Sequence, residues 1–296
     1  MQFIHPSIKL ETSNRTIQEF MDIIEKAGRT CWKSETNQYK QALKYIRDLD
    51  WNPQGYEIMR AANGGQPLTL EQLMSPDFVR SARDDEAFRQ VTRDFNRRMV
   101  KIGHTSVLEH SAITVRILTD RAVTHQLVRH RIAAYSQESQ RYVGNDGHVM
   151  FIIPEGSGLE PGYYSFDQQS EREVEVLSKI LCTPENPHTE FDTVDIKEWP
   201  RVGMPFTWVS AMQHAENAYL DLRSAGVKKQ DARSVLPNAT KTEIVATYNI
   251  PMWRHVMKER LDPAAQHDIR KIMGMILDKF LETPMAILFE DLKNVR

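Results

Sequence analysis

The chain has 296 residues, with 38 basic against 40 acidic side chains and a net charge of −2, so it lacks the global cationic field of a nucleic-acid binder and any anion recognition must be local. Its two cysteines, Cys31 and Cys182, exclude a disulfide framework and a cysteine-rich zinc site, and Cys31 reads as a small buried core residue. No apolar run approaches a membrane span, and the opening "MQFIHPSIKLETSNRT" lacks the basic-then-apolar layout of a signal peptide, so a cytoplasmic enzyme with no membrane partner is expected.

In chain order, "TIQEFMDIIEKAGRTCW" repeats apolar residues at Ile17, Phe20, Ile23, Ile24 and Ala27, a helical period opened by Thr16. "QYKQALKYIRDLDW" continues in the same manner. Residues 52–82 carry Pro53, Gly64, Gly65, Pro67 and Pro76 and read as an irregular excursion with one short helix near Leu70–Met74. "DEAFRQVTRDFNRRMVKIG" predicts a helix that stops at Gly103, "SAITVRILT" alternates as a strand, and "DRAVTHQLVRHRIA" returns to helix. "HVMFIIP" is a second strand ended by Pro154, "FDQQSEREVEVLSKIL" is helical, and residues 182–205 form a proline-rich loop or insertion. "FTWVSAMQHAENAYLDLRSAG" is a long helix ending on Gly226. "TKTEIVATYNI" is a strand, and helices around "WRHVMKERL" and "AAQHDIRKIMGMILDKFL" close the chain. The sum is a mixed α/β (α+β) chain, helix-rich around a small mixed β-sheet. With no flexible linker, residues 1–296 read as a single domain with insertions near 52–82 and 182–205.

The chemistry concentrates at "RHRIAAYSQESQRY", residues 129–142. On a helix Gln126 and Arg129 share a face, and cations in a last helical turn answer the macrodipole with no further function. The alternative is an anion site. Ser136, Gln137, Ser139 and Arg141 follow in what reads as a short polar loop, and guanidinium forks with hydroxyls and an amide suit a phosphate and a pyrimidine edge. Other chemistries find less support. "GSGLEP" at 156–161 fails G-x-G-x-x-G at its last position, no P-loop appears, and Ser139 with His130 lacks a G-x-S-x-G elbow. His104 with His110, and His125 with His130, miss the spacing of H-E-x-x-H, so no metal site is expected.

Arg129-His130-Arg131, seven residues and then Ser139 resembles the RHR-x7-S signature of the flavin-dependent thymidylate synthase family. "EKAGRTCWKSE", "GHTSVLEH", "GVKKQDARSVLP", and "TYNI" running into "WRHVMKERLDPAAQHDIR" are similar to further family segments. They come in the family's order, over most of residues 15–35 and 95–290. The resemblance implies a methyltransferase that moves the methylene of 5,10-methylenetetrahydrofolate to C5 of dUMP. Reduced FAD would be its hydride source and NADPH its reductant, in a homotetramer with active sites where subunits meet. Carried over residue by residue, it implies that His104, Ser106, Arg129, His130, Arg131, Gln137, Asn249 and His255 meet FAD. Gln126, Arg129, Gln137, Ser139, Arg141 and Arg233 would hold dUMP, and Arg260 would be the catalytic arginine that also contacts and polarises the uracil.

This chain departs from the family's pattern at two places in the site. Asn249-Ile250-Pro251 stands where the family has Asn-Ala-Arg, removing a flavin-side arginine for which Arg254 is the nearest substitute. Gln137 stands where the family has glutamate, with Glu138 beside it. Those changes keep two alternatives open: an acceptor such as UMP or another pyrimidine nucleotide, and an inactive flavin- or nucleotide-binding homologue. Gln266 and Arg270 are expected to stabilise the last helices, and the excursions at 52–82 and 182–205 have no assigned chemistry.

Overall fold

The computed structural model describes residues 1–34, 86–144, 147–163 and 199–295, with scattered positions between 37 and 72. The helical runs expected after Gln38 and over residues 166–181, Cys182, and the short helix near Leu70 lie outside the described residues or touch them only at isolated positions. Of the two expected insertions, 52–82 is described only at scattered positions and 182–205 only from Trp199 onward.

The chain forms β1 (Gln2–Ile4), β2 (Ser7–Leu10), α1 (Asn14–Cys31), α2 (Glu86–Lys101), a 3-10 turn at Thr105–His110, β3 (Ala112–Asp120), α3 (Arg121–Leu127) and β4 (Ala133–Gln137). It continues through β5 (Met150–Ile152), β6 (Gly162–Tyr163), α4 (Trp199–Ser224), α5 (Lys229–Ala232) and β7 (Lys241–Asn249). The last helices are α6 (Ile250–Leu261) and α7 (His267–Leu281), followed by 3-10 turns. Two small sheets result, in strand orders β5-β1-β6 and β2-β3-β7-β4. The first is mixed: β1 runs parallel to β5, with Phe3 opposite Phe151, and antiparallel to β6. In the second, β3 buries Ile113, Val115, Ile117 and Thr119, and β7 buries Thr242, Ile244, Ala246 and Tyr248. That period of two is the strand alternation that "SAITVRILT" and "TKTEIVATYNI" predict.

The chain divides into two compact units. One comprises Met1–Lys9, Val115–Ala246 and Arg260–Met275; the other comprises Leu10–Thr114, Thr247–Glu259 and Ile276–Arg296. In the second unit α1 turns Ile17, Met21 and Ile24 inward at helical spacing. Gly28 lets α1 approach α2 closely, since a Cβ there would lie 2.5 Å from the Phe95 ring. Between these helices Glu25 accepts from Arg29 Nε (2.7 Å) and from the Thr92 hydroxyl (2.6 Å). Burial pushes the Glu25 carboxyl above its ordinary value, although Arg29 and Thr92 pull the other way. Trp253 packs edge-on against Tyr248 and Phe280 and donates its indole N–H to the Ile113 carbonyl at 3.0 Å. In the first unit Trp208 of α4 lies 5.0 Å from Phe3, over a core that includes Val149, Phe151 and Tyr219.

Several local expectations change. The first helix starts at Asn14 rather than Thr16, because Ser13 caps it by accepting from the Thr16 N–H at 3.2 Å. Cys31, expected in the core, keeps the spacing of Ile17 and Ile24 but is the last residue of that helix and is exposed there. The long helix α4 begins at Trp199, inside the stretch that reads as a proline-rich loop. Pro200 lies in its first turn, where a missing N–H breaks no helical bond. The helix expected over residues 120–133 ends at Leu127, and the strand β4 (Ala133–Gln137) takes in Ser136 and Gln137, which are expected in a polar loop.

Candidate functional site

The early end of α3 builds the site. Asp120 caps the helix by accepting from the Val123 N–H at 2.7 Å, and burial pushes its carboxyl above the ordinary value. At the other end, Arg129 N–H and His130 N–H bond back to the Gln126 and Leu127 carbonyls at 3.3 and 3.0 Å. The Tyr135 hydroxyl lies 2.6 Å from the Leu127 carbonyl and 2.8 Å from that of His130, so it adds a side-chain donor where the helix ends and its last carbonyls lack intrahelical i+4 partners. Ile132 then takes a left-handed conformation, φ 64°, and the chain reverses into β4. Arg129, His130 and Arg131 therefore occupy a tight turn between a helix and a strand, not a helical face.

Within that turn Arg129 and Arg131 are exposed, while His130 is 9% exposed. Neither exposed arginine has a carboxylate partner among the described residues. His130 Nε2 lies 2.9 Å from Arg260 Nε. A guanidinium can only donate, so the ring nitrogen accepts and its proton resides on Nδ1. That contact uses the Nε–H of Arg260 and leaves its two terminal amino groups without a hydrogen-bond partner among the described residues.

The other candidates of the first unit settle differently. Gln126 donates to the side-chain carbonyl of Gln266, which makes Gln266 a neighbour of the site as well as a stabiliser of α7. Arg270 steadies the turn before α7 through the Pro263 carbonyl at 3.1 Å. Gln137 donates to the Thr124 and Thr242 hydroxyl oxygens at 3.0 and 3.2 Å. Successive strand residues face opposite ways, and Glu138 instead pairs with Lys241 at 2.8 Å. Ser139 accepts from the Arg141 N–H at 3.3 Å in the turn after β4, and the Arg141 guanidinium lies over the Tyr142 ring. Arg233 donates from Nε to the Gln230 carbonyl at 3.1 Å. The Arg121 guanidinium is held below its ordinary value by burial and then by the like charge of Arg233, with Glu138 acting oppositely.

His104, Ser106, Asn249 and His255 belong to the second unit. Asn249 Oδ1 accepts from the Met252 N–H at 2.9 Å, so it caps α6. Pro251 stands in the first turn of that helix, where its lack of an N–H is harmless. The His104 ring lies 5.0 Å from Trp32, and its buried Nδ1 has no hydrogen-bond partner among the described residues. Ser106 and His255 are exposed. Arg254, the substitute considered for the missing arginine, is already held bidentately by Asp291 at 2.7 and 2.6 Å and by the Leu288 carbonyl. Its guanidinium is committed to the C-terminal turn.

Sequence reasoning missed Tyr135, Thr124, Thr242 and Arg121. The alternation in "AAYSQ" could have exposed the strand that aims Tyr135 and Gln137, whereas nothing local to Arg121 or Thr242 points to the site. Among the described residues, no group of three or more His, Cys, Asp or Glu could hold a metal ion, and no helix is long and apolar enough to cross a membrane.

The family described as "Thymidylate synthase complementing protein" matches residues 15–283. The chain is 31% identical over 186 residues to the flavin-dependent thymidylate synthase of Pyrococcus furiosus, covering 62% of this chain and 59% of that relative. It is 32% identical over 237 residues to the flavin-dependent thymidylate synthase of Mycobacteroides abscessus, covering 76% of each. The chain thus spans about three fifths of the length of the first relative and about three quarters of the second. Among solved structures it is similar to the UMP/dUMP methylase PolB from Streptomyces cacaoi bound with 5-Br dUMP. The TM-score there is 0.55 and the identity 16%, over 98% of this chain and 97% of that one, a likeness of fold.

Proposed function

The chain belongs to the thymidylate synthase complementing protein family, and on that premise we propose that it is a flavin-dependent thymidylate synthase, a methyltransferase that methylates dUMP reductively at C5. The carbon donor is 5,10-methylenetetrahydrofolate and the reductant NADPH, and the working form is a homotetramer built on residues 1–296 as one catalytic domain. The observation that carries this reading is the contact of Arg260 with His130, inside the RHR-x7-S motif. It anchors the guanidinium by Nε and keeps both terminal amino groups for a ligand.

The donor set fits a flavin dinucleotide. Arg129 and Arg131 are exposed guanidinium groups without carboxylate partners among the described residues, and such forks suit a diphosphate. His130 and Gln137 adjoin them in the chain, and His104, Ser106, Asn249 and His255 complete the proposed flavin contacts. FAD, once bound and reduced, supplies the hydride. Gln126, Arg129, Gln137, Ser139, Arg141 and Arg233 bind the nucleotide. Arg260, permanently charged, stabilises negative charge on the pyrimidine carbonyls as C5 becomes nucleophilic. No nucleophile from the protein is required.

A second reading keeps the reaction and changes the acceptor to UMP, favoured by Gln137 in place of a glutamate. Tritium release from C5-labelled dUMP and UMP, with methylenetetrahydrofolate and NADPH under anaerobic conditions, separates the two. Release from dUMP is expected. Exclusive turnover of UMP overturns the first reading, and a colourless protein that oxidises no NADPH overturns both.

A further inference from the structure

Gln266 and Asp268 lie beside Gln126 in the first unit, and together they decide which end of the Gln126 amide meets a ligand. Gln266 stands at the start of α7, where its backbone carbonyl accepts the first helical bond from the Arg270 N–H at 3.1 Å. Ile269 and Ile272, both fully buried, seat the helix beneath it. The Gln266 side chain makes two contacts: Nε2 donates to Asp268 Oδ2 at 3.0 Å, and Oε1 accepts from Gln126 Nε2. A carboxylate has no proton to give, so the end of Gln266 at Asp268 must be its amino group. The end at Gln126 is then the carbonyl oxygen, which Gln126 has to answer with an N–H. One carboxylate thus fixes the polarity of two amides in series.

Gln126 has two amide protons, and its Nε2 also donates to the Ala122 carbonyl one turn back on α3, at 3.4 Å. With both protons committed, only Oε1 remains, and it has no hydrogen-bond partner among the described residues. Val123, Thr124 and Leu127 beside it are fully buried and fix the helix that carries it. An amide in water turns over at little cost, whereas one oriented in this way welcomes only a ligand that brings a donor. We propose that Asp268 and Gln266 are positioning residues that hold the Gln126 oxygen toward the nucleotide, where it accepts from a donor of the nucleoside, the uracil N3–H or a sugar hydroxyl. The relay rests on the nucleotide chemistry proposed above, and it adds to that chemistry two residues behind the contact.

Calorimetric titration of the flavin-loaded protein with dUMP, N3-methyl-dUMP and 2′,3′-dideoxyuridine monophosphate tests the relay in wild type, Asp268→Asn and Asp268→Glu. An asparagine donates as well as accepts, so Asp268→Asn lets both glutamine amides turn over, while Asp268→Glu keeps a group that only accepts. The analogue lacking the donor that Gln126 reads is expected to bind wild type about 3- to 10-fold more weakly than dUMP, the contribution of one hydrogen bond. Asp268→Asn is expected to weaken dUMP by a similar factor and to narrow that analogue's deficit, and Asp268→Glu to restore both. Deficits of both analogues that are the same in Asp268→Asn as in wild type overturn the relay, as does a wild type that binds both analogues as tightly as dUMP. A wild type with no affinity for dUMP or UMP overturns the nucleotide reading, and the relay with it.

Discussion

Arg260 and His130 stand 130 positions apart in the chain and meet at 2.9 Å, guanidinium Nε to imidazole Nε2. The imidazole orients the arginine from behind while its charged, donor-rich end stays unspent. Replacing the arginine should therefore remove chemistry without removing the cofactor. Arg260→Ala is expected to cut kcat by about 100- to 1,000-fold or more while flavin absorbance stays with the purified protein. Arg260→Lys should remain strongly impaired, because an ammonium offers neither the fork nor the Nε contact. Near-normal dTMP formation by either variant removes Arg260 from the mechanism.

Gln137 is fitted to its place as an amide. The Thr124 hydroxyl donates its own proton to the Arg121 carbonyl, so its oxygen needs a donor, which the Gln137 amide supplies. A carboxylate there would face lone pairs. Gln137→Glu is expected to lower stability by roughly 1 to 3 kcal/mol at neutral pH, measured by urea unfolding. An unaltered midpoint and slope would show that the hydroxyls simply turn round.

Ile132 is a β-branched residue in the left-handed region, φ 64°, with 80% of its surface exposed. Strain of about 1–2 kcal/mol is thus not repaid by burial. Ile132→Gly relieves it, less the roughly 0.5–1 kcal/mol that glycine loses in chain entropy, so a small net gain in unfolding free energy is expected. The looser turn should present Arg129 and Arg131 less well and weaken flavin retention. A destabilised Ile132→Gly protein would mean that the exposed side chain packs against something in the assembled enzyme.

Asp291 holds Arg254 bidentately, and that hydrogen-bonded cation keeps its carboxyl below the ordinary value of 3.8. A depressed folded-state value means that the pair's stabilisation is present above 3.8 and is lost as the pH falls through the lower folded value. Asp291 is half exposed, so Asp291→Asn should cost no more than about 1 kcal/mol at neutral pH. The gap between variant and wild type in urea melts should close as the solution is acidified below that range. A difference that is the same at both ends of the titration would assign the effect to packing.

Local periodicity determined much of the architecture. The heptad-like spacing of Ile17, Met21 and Ile24, the alternation in β3 and β7, and the apolar faces of the last two helices are each written within a dozen neighbouring residues, so they survive folding unchanged. The family motifs and the balanced charge were equally legible, because they depend on residue types in order. Where the chain turns was not. α3 stops at Leu127, where the Arg129 and His130 N–H groups turn back to the Gln126 and Leu127 carbonyls and Tyr135 adds its hydroxyl, and β4 exists because β7, a hundred residues later, lies beside it. The partners of the arginines were likewise decided only in three dimensions. Arg254 is spent on Asp291, Arg260 is braced by His130, and Arg233 reaches back to the Gln230 carbonyl. A guanidinium looks the same in every sequence. Whether it is neutralised, oriented or left in need of an anion depends on groups that long-range packing brings to it.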